Sequence, residues 1–496
     1  MAKLVFPSTN EALKASRLAA QGKLHRIRNG IYIDTSDKEE ITKTLDSKWM
    51  DIACKIFDDP VAIARTAAEL SPAKGELYLV SSKLRAPRTT PVGHLKFHIS
   101  PGNTDSGVEQ VSLEMRRSNP ARYCLENLAR SRGSIKSKKT LGSEWVELEL
   151  IKHIRRGGEQ AVNALRDEAR NLASILELEA EFEKLNTLIA ALLNTHPAEG
   201  ILQTRMGIAN AKGEPFDQSR IDRFGELAKY LNSTELKENK YGYNKSGWRN
   251  ITFFESYFSN FIEGTEFTIE EAEEIAFEKK VLYERHPDSH DILAHIEISG
   301  DMSEMHKIPS EPAELIDILK VRHEILLAAR PDKRPGEFKL KPNRAGGSEF
   351  VLPELVEGTL VQGFDIYHSL PAGLRRAIFI HFMVSEVHPF DDGNGRLSRI
   401  MMNSELVSQD EYKLIIPIVQ RDSYLNGLRS ATREGRFRTM VKVLHLMQCY
   451  TASLDWNEYD EVKRTLQENA ADKEPDEGTI IFNRVIAKLG GQYPPG

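Results

Sequence analysis

Nine consecutive residues, His388-Pro389-Phe390-Asp391-Asp392-Gly393-Asn394-Gly395-Arg396, gather side chains that can do chemistry. The imidazole of His388, with an ordinary pKa of about 6.5, can accept a proton at neutral pH. Asp392 offers a hard oxygen ligand suited to a Mg²⁺ ion bridging nucleotide phosphates. Arg396 supplies a planar, permanently charged fork for phosphate oxygens. Asn394 has an amide able to hydrogen-bond an α-phosphate. Gly393 and Gly395 carry no side chain, so phosphate oxygens can come close to the backbone. Arg399 follows Arg396 by three residues and can share its helix face. The set is suited to gripping a nucleotide polyphosphate and activating a hydroxyl beside it. Asp391 alone reads as a solvated acid.

The elements that must position these groups can be read around them. Ala377, Ile378, Phe379, Ile380, Phe382, Met383 and Val387 make a strongly apolar helix suited to a domain centre. Pro389 cannot continue it, so His388 sits where that helix breaks. A second helix starts near Asn394 and runs through Leu397, Ile400, Met401 and Met402. The loop therefore meets a helix N-terminus, whose free N–H groups and dipole favour an anion. Phe390, the apolar member, is expected to point inward and, with Pro389, to hold the loop.

In order and spacing the loop resembles the signature of the Fic family, whose members transfer AMP from ATP onto protein hydroxyls. The resemblance assigns roles. His388 would take the proton from a Ser, Thr or Tyr hydroxyl of a target protein or of the chain itself. That oxygen would attack the α-phosphorus of ATP, and pyrophosphate would leave. Asp392 would hold Mg²⁺; Arg396 and Arg399 would hold the β- and γ-phosphates. Gly393, Asn394 and Gly395 complete the nucleotide-binding set. A kinase-like branch of the family has lysine where this chain has Gly395, so glycine favours nucleotidyl over phosphate transfer. ATP and Mg²⁺ are the expected substrate and cofactor.

Upstream, Ser259-Asn260-Phe261-Ile262-Glu263-Gly264 resembles the inhibitory-helix motif of the same family. Ser259 and Glu263 lie one turn apart on one helical face, and Gly264 is a natural helix stop. The resemblance implies that Glu263 reaches Arg399 and competes with the ATP γ-phosphate. A deAMPylase that uses Glu263 is the alternative within enzymes. Residues 335–353 could supply the family's target-docking hairpin, with Gly336-Glu337-Phe338-Lys339 as its opening and Ser348 to Leu352 as the returning strand, or could be a plain surface loop.

Residues 9–33 combine a helix, Asn10 to Gln21, with a basic hairpin turning at Asn29-Gly30. They resemble the end of a winged-helix domain of bacterial abortive-infection antitoxins and related regulators. By that resemblance Arg17, Lys23, Arg26 and Arg28 would contact DNA. The run Arg130 to Lys139 could add phosphate contacts. Protein–protein recognition is the other reading of this region, and a DNA-binding regulator with a nucleotide-sensing Fic domain is the rival from a different functional class.

At 496 residues the chain should hold several domains. Its net charge of -6 gives no general nucleic-acid-binding surface. Cys54, Cys124 and Cys449 form no disulfide or zinc framework. With neither a signal peptide nor a membrane-length apolar run, the expectation is a cytoplasmic protein without membrane contact; whether it forms a homodimer stays open. The expected fold is mainly α: a helical Fic domain with a small β-hairpin flap, preceded by a small α/β winged-helix-like region. The expected divisions are 1–90 (regulatory or DNA-binding), 91–200 (helical companion and linker), 201–455 (Fic domain) and 456–496 (tail). Helices are expected over 161–194, 215–233, 250–262, 268–282, 312–329, 371–387, 394–408 and 424–454.

Overall fold

A computed structural model describes residues 2–8, 10–112, 114–131, 138–280, 285–345 and 347–489. Most of the expected basic run Arg130 to Lys139, and the end of the helix expected over 268–282, lie outside them. The chain divides into two units, Met1–Gly213 and Glu214–Gly496.

In the first unit, β1 (Leu4–Val5), α1 (Ala12–Ala20), β2 (His25–Arg28) and β3 (Ile31–Ile33) build a three-stranded antiparallel sheet of order β1-β3-β2 beside a helix. The hairpin turns at Asn29-Gly30, where Gly30 takes a positive φ of 78°. Helices α2 (Lys38–Ser47) and α3 (Trp49–Ile56) lead into β4 (Val61–Ala62), α4 (Ala64–Glu69), β5 (Glu76–Ser81), β6 (Arg88–Val92), β7 (Leu95–Pro101), β8 (Val108–Gln110) and β9 (Arg116–Ser118). These strands form one mixed sheet of order β6-β7-β5-β4-β9-β8. The boundary expected at 90/91 falls inside β6, which is paired with β7 from Arg88↔Ile99 to Val92↔Leu95. No domain can end there, because the ladder hydrogen bonds cross it.

Helices α5 (Pro120–Leu128), α6 (Ser143–Leu176), α7 (Glu179–Leu192) and α8 (Arg205–Ala211) complete the unit. The amphipathic stretch expected as one helix over 161–194 is two, because Glu177 adopts the left-handed conformation between α6 and α7.

The second unit is helical. In order come α9 (Gln218–Ser233), α10 (Lys245–Ile262), α11 (Ile269–Glu278), α12 (His286–Gly300), α13 (Met302–Met305) and α14 (Pro312–Leu326). A short antiparallel pair follows, β10 (Arg344–Ala345) and β11 (Ser348–Glu349). Then come α15 (Val356–Ser369), α16 (Leu374–Val387), α17 (Asn394–Ser408), α18 (Arg421–Glu434), α19 (Arg438–Ala452), α20 (Tyr459–Glu468) and α21 (Pro475–Lys488). Side-chain caps start several of them: Asp217 caps α9, Asn244 caps α10, and Thr268 with Glu271 forms a capping box on α11.

Three expectations change here. The helix expected over 424–454 is α18 plus α19, broken at Gly435 with φ 67°. Residues 456–489 are not a tail: Val462, Leu466, Phe482 and Ile486 are buried in the core of this unit. The unit starts at Glu214 rather than 201. The core itself centres on α16 and α17, as the apolar run predicted; Ala377, Ile378, Phe379, Phe382 and Met383 are fully buried.

Candidate active site

The loop between α16 and α17 is held from four sides. His388 ends α16 in the left-handed conformation, φ 51°, uncommon for a non-glycine residue. Gly393 starts α17 at φ 73°, and a Cβ there would lie 2.5 Å from Leu327. Phe390 is fully buried, stacked on the His323 ring at 3.8 Å between centroids and tilted against Phe338 at 5.2 Å. His323 accepts from Gly336 N–H at Nδ1 (2.9 Å) and donates from Nε2 to the Asp392 carbonyl (3.1 Å). Burial pushes its pKa down to about 4, so it stays neutral in this bridge.

Both ends of the Asn394 amide are engaged within the loop. Its Oδ1 accepts from Phe390 N–H at 2.9 Å and its Nδ2 donates to the Phe390 carbonyl at 2.8 Å. It closes the loop on itself. The same carbonyl accepts from Asn343 Nδ2 at 3.0 Å. The buried Lys339 adds its N–H to the Pro389 carbonyl and its ammonium to the Val387 carbonyl and Asn343 Oδ1. The 335–353 stretch thus braces the loop from behind.

The His388 ring has a defined tautomer. Its Nδ1 lies 3.2 Å from the Ser385 carbonyl, which can only accept, so Nδ1 carries the hydrogen and Nε2 the lone pair. Phe350 stacks on its ring at 3.8 Å and 6°. Burial pushes His388 down to about 4; the Lys339 charge adds to this, while the Ser385 carbonyl opposes it. The base form is therefore the resting form at neutral pH.

Asp392 accepts from Gly393 N–H through Oδ1 at 2.7 Å, and among the described residues no ion pair engages its carboxylate. No group of three or more His, Cys, Asp or Glu suited to a metal occurs among those residues. A lone carboxylate fits Mg²⁺, which commonly takes its other ligands from phosphates and water. Asp391 is exposed, with Arg334 at 3.9 Å.

The two arginines differ. Arg399 is buried and fully engaged: Nε donates to Ser259 Oγ (2.9 Å), Nη2 to the Ser259 carbonyl (2.9 Å) and Glu263 Oε1 (2.8 Å), and Nη1 to Tyr424 Oη (3.3 Å). The predicted Glu263 contact is present, and Ser259 adds two that were not predicted. Gly395 makes room for them, since a Cβ there would lie 2.2 Å from Glu263 Oε1. Arg396, also buried, is paired with Asp291 at 2.6 Å and touches Asn260 Oδ1 at 3.4 Å.

Glu263, Phe350, His388, Gly395, Arg399 and Tyr424 line one cavity of about 280 Å³. The α18 side of it, Tyr424, Leu425, Leu428, Arg429 and Thr432, escaped the sequence reading, although their spacing of four marks one helix face. Asp291, His323 and Phe350 gave no local signal.

Residues 314–406 match the Fic/DOC family. These residues form a Fic domain. Among curated proteins, the chain is similar to "Protein adenylyltransferase Fic" of Drosophila willistoni, 27% identical over 204 residues that span 40% of each chain. The namesake of Drosophila virilis is 27% identical over 204 residues, 40% of this chain and 41% of that one. The chain thus spans about 40% of the length of these relatives. Among solved structures, Fic-1 of C. elegans aligns at 17% identity and TM-score 0.36, over 65% of this chain and 98% of that one. The Fic domain holds His388, the loop and both arginines; Ser259, Glu263 and Asp291 lie before the matched residues.

In the first unit, Arg17, Lys23 and Arg26 are exposed. Arg26 donates to Asn29 Oδ1 at 3.1 Å, and Arg28, half-buried, donates to the Pro91 carbonyl at 3.0 Å. Among the described residues no helix is long and apolar enough to cross a membrane.

Proposed function

We propose that this protein is an ATP- and Mg²⁺-dependent protein adenylyltransferase that Glu263 holds in check. The observation that carries this reading is the shared cavity: the base His388, the cation Arg399 and the carboxylate on that cation line the same space. His388 Nε2 takes the proton of a Ser, Thr or Tyr hydroxyl as its oxygen attacks the α-phosphorus; the bond to pyrophosphate breaks. Because Nδ1 is tied to Ser385, the proton arrives at Nε2. Arg396 and Arg399 hold the β- and γ-phosphates by charge and geometry, the main source of rate in such transfers. Mg²⁺, held by Asp392, would offset the charge of the phosphates. While Glu263 occupies Arg399, the γ-phosphate has no free cation there, and ATP binds poorly or unproductively.

The test uses ATP labelled at the α- or the γ-phosphate. Transfer of α-label only, in Glu263→Gly and not in Glu263→Gly with His388→Ala, is the expected result. Transfer of γ-label, or none in either, would refute the reading. A hydrolytic role has one supporting feature: Glu263 faces the His388 cavity and could hold a water. Release of AMP from a modified target without ATP, lost in Glu263→Gly, would favour it.

The remaining assignments belong to this same proposal. The chain works in the cytoplasm on target proteins, with the 344–349 hairpin as the edge on which an extended target segment pairs. The exposed Arg17, Lys23 and Arg26 beside α1 and the β2–β3 hairpin support a winged-helix DNA contact. Arg28, tied to Pro91, is the weakest member of that set. A salt-dependent gel shift that persists in His388→Ala tests it. Whether two copies pair is a matter for sedimentation.

A further inference from the structure

Arg396 meets an acid that the loop signature does not contain. Its Nη1 lies 2.6 Å from Asp291 Oδ2, on α12, a helix whose buried positions include the polar Ser289, Asp291, His295 and Ser299. Asp291 has no solvent exposure. It is held in turn by Arg330, which donates from Nη2 at 2.8 Å and from Nε at 3.2 Å. Arg330 also binds Asp288 at 2.7 Å. The charges alternate along a fixed chain: Asp288, Arg330, Asp291, Arg396. Asn260, next to Ser259, accepts from the same Nη1 at 3.4 Å, and its own amide reaches the Asp291 carbonyl at 3.5 Å. The Nε of Arg396 is buried and has no hydrogen-bond partner among the described residues.

An acid beside a phosphate-binding arginine can act in two ways. It can compete for the cation, or it can aim it. Glu263 is built to compete: its side chain is 31% exposed, it ends α10, and Gly264 follows at φ 89°. Asp291 is built to aim. It is buried between two arginines, its negative charge is already shared with Arg330, and it takes only one edge of the guanidinium. A fork held at Nη1 keeps its Nε edge for a second oxygen ligand, and the orphaned Nε is that edge.

We propose that Asp291 is a positioning residue that orients Arg396 for the polyphosphate of ATP. The assignment rests on reading Arg396 and Arg399 as polyphosphate ligands. It adds a residue outside the loop, in a part of the chain with no motif. Asp291 itself touches neither substrate nor reacting atoms.

The test is calorimetric titration of ATP with Mg²⁺ into the full chain carrying Glu263→Gly, so that the competing carboxylate is absent. Adding Asp291→Asn should weaken ATP binding about 10-fold to 100-fold, the scale of one hydrogen bond to a charged group. Adding Asp291→Asn to a chain that already has Arg396→Lys should cost nothing further, because the two residues work through one contact. A merely structural role would give the same loss in both backgrounds, and that result overturns the proposal. So do unchanged affinity and tightened affinity; the latter would make Asp291 a second competitor. If Asp291→Asn does not fold, Asp291→Asn with Arg330→Gln removes one charge of each sign, and loss or retention of affinity is read the same way. AMP transfer is scored separately. A Glu263→Gly chain that binds ATP and transfers nothing refutes the transferase reading and leaves Asp291 to the binding data. One that binds no ATP overturns both.

Discussion

One helical turn separates Arg396 from Arg399 on α17, yet the two sit in opposite kinds of surroundings. Around Arg399 gather Ser259, Tyr424 and a half-exposed glutamate at the frayable end of α10. Around Arg396 stand the buried Asp291 and Asn260, with the partly exposed Arg330 holding Asp291 from its other side. Both arginines are salt-bridged, so a salt bridge alone does not say whether an arginine is blocked or prepared. What separates the cases is the partner's freedom to leave. A partner with one contact and a glycine behind it can yield to phosphate; a partner locked by a second arginine cannot.

In the proposed mechanism, binding falls to the two arginines and proton transfer to His388. The largest expected effect tests that division. In the Glu263→Gly background, His388→Ala should lower AMP transfer about 10²-fold to 10⁴-fold and leave ATP affinity within about twofold by titration. A parallel fall in affinity would show that the loop, and not the base, had been lost. Next is Glu263→Gly itself, which should raise transfer at least about tenfold, equivalent to about 1.4 kcal/mol of relieved competition, read by label incorporation at subsaturating ATP. Asn394→Ala comes third. It strips both backbone groups of Phe390 of a partner, and an unfolding titration should show a loss of about 1–3 kcal/mol. Asp391→Asn is the smallest. Exposed and 3.9 Å from Arg334, it should alter stability by less than about 0.5 kcal/mol.

Acidity sharpens the picture from another direction. His388 and His323 are each pushed down to about 4, and His381 to about 3, chiefly by burial. A depressed histidine stays neutral in the folded chain while the unfolded chain takes up the proton first. Stability should therefore fall as pH drops from about 6.5 toward 4. The base itself remains competent over that range. The acid limb of transfer should lie near pH 4 to 5, if the fold survives, rather than near His388's ordinary value of about 6.5. A limb at the ordinary value would show that the ring is more hydrated than its stacking on Phe350 suggests.

The part of the site legible in the sequence was the part whose geometry is local. The break at Pro389, the helix N-terminus at Gly393 and the one-turn spacing of Ser259 and Glu263 each follow from neighbouring residues, and all three stand where they were expected. Arg399 was matched to Glu263 through a motif spanning 136 positions, and their contact is present. Asp291 and His323 could not be found that way. On α12 the polar Ser289, Asp291, His295 and Ser299 are buried along with Ile292, Ala294 and Ile298, which blurs the apolar stripe that marks a helix in sequence; on α14, His323 shares its buried face with Leu315, Leu319 and Leu326 and reads there as one more core position. The bonds between the Asn394 amide and both backbone groups of Phe390 are visible only in the folded loop. In the first unit the hairpin at Asn29-Gly30 was plain from its turn residues. The sheet running through residue 90 was not, although β6 and β7 form an antiparallel hairpin with a turn at Gly93-His94; the parallel pairing of β5 with β7 has no such local turn.

The measurement that tests the account most directly is titration of ATP with Mg²⁺ into three full-length chains: wild type, Glu263→Gly, and Glu263→Gly with Asp291→Asn. The account predicts that losing the first carboxylate tightens binding and that losing the second weakens it again. If both substitutions move the affinity in the same direction, the two acids do one job, and the distinction drawn between the two arginines is wrong.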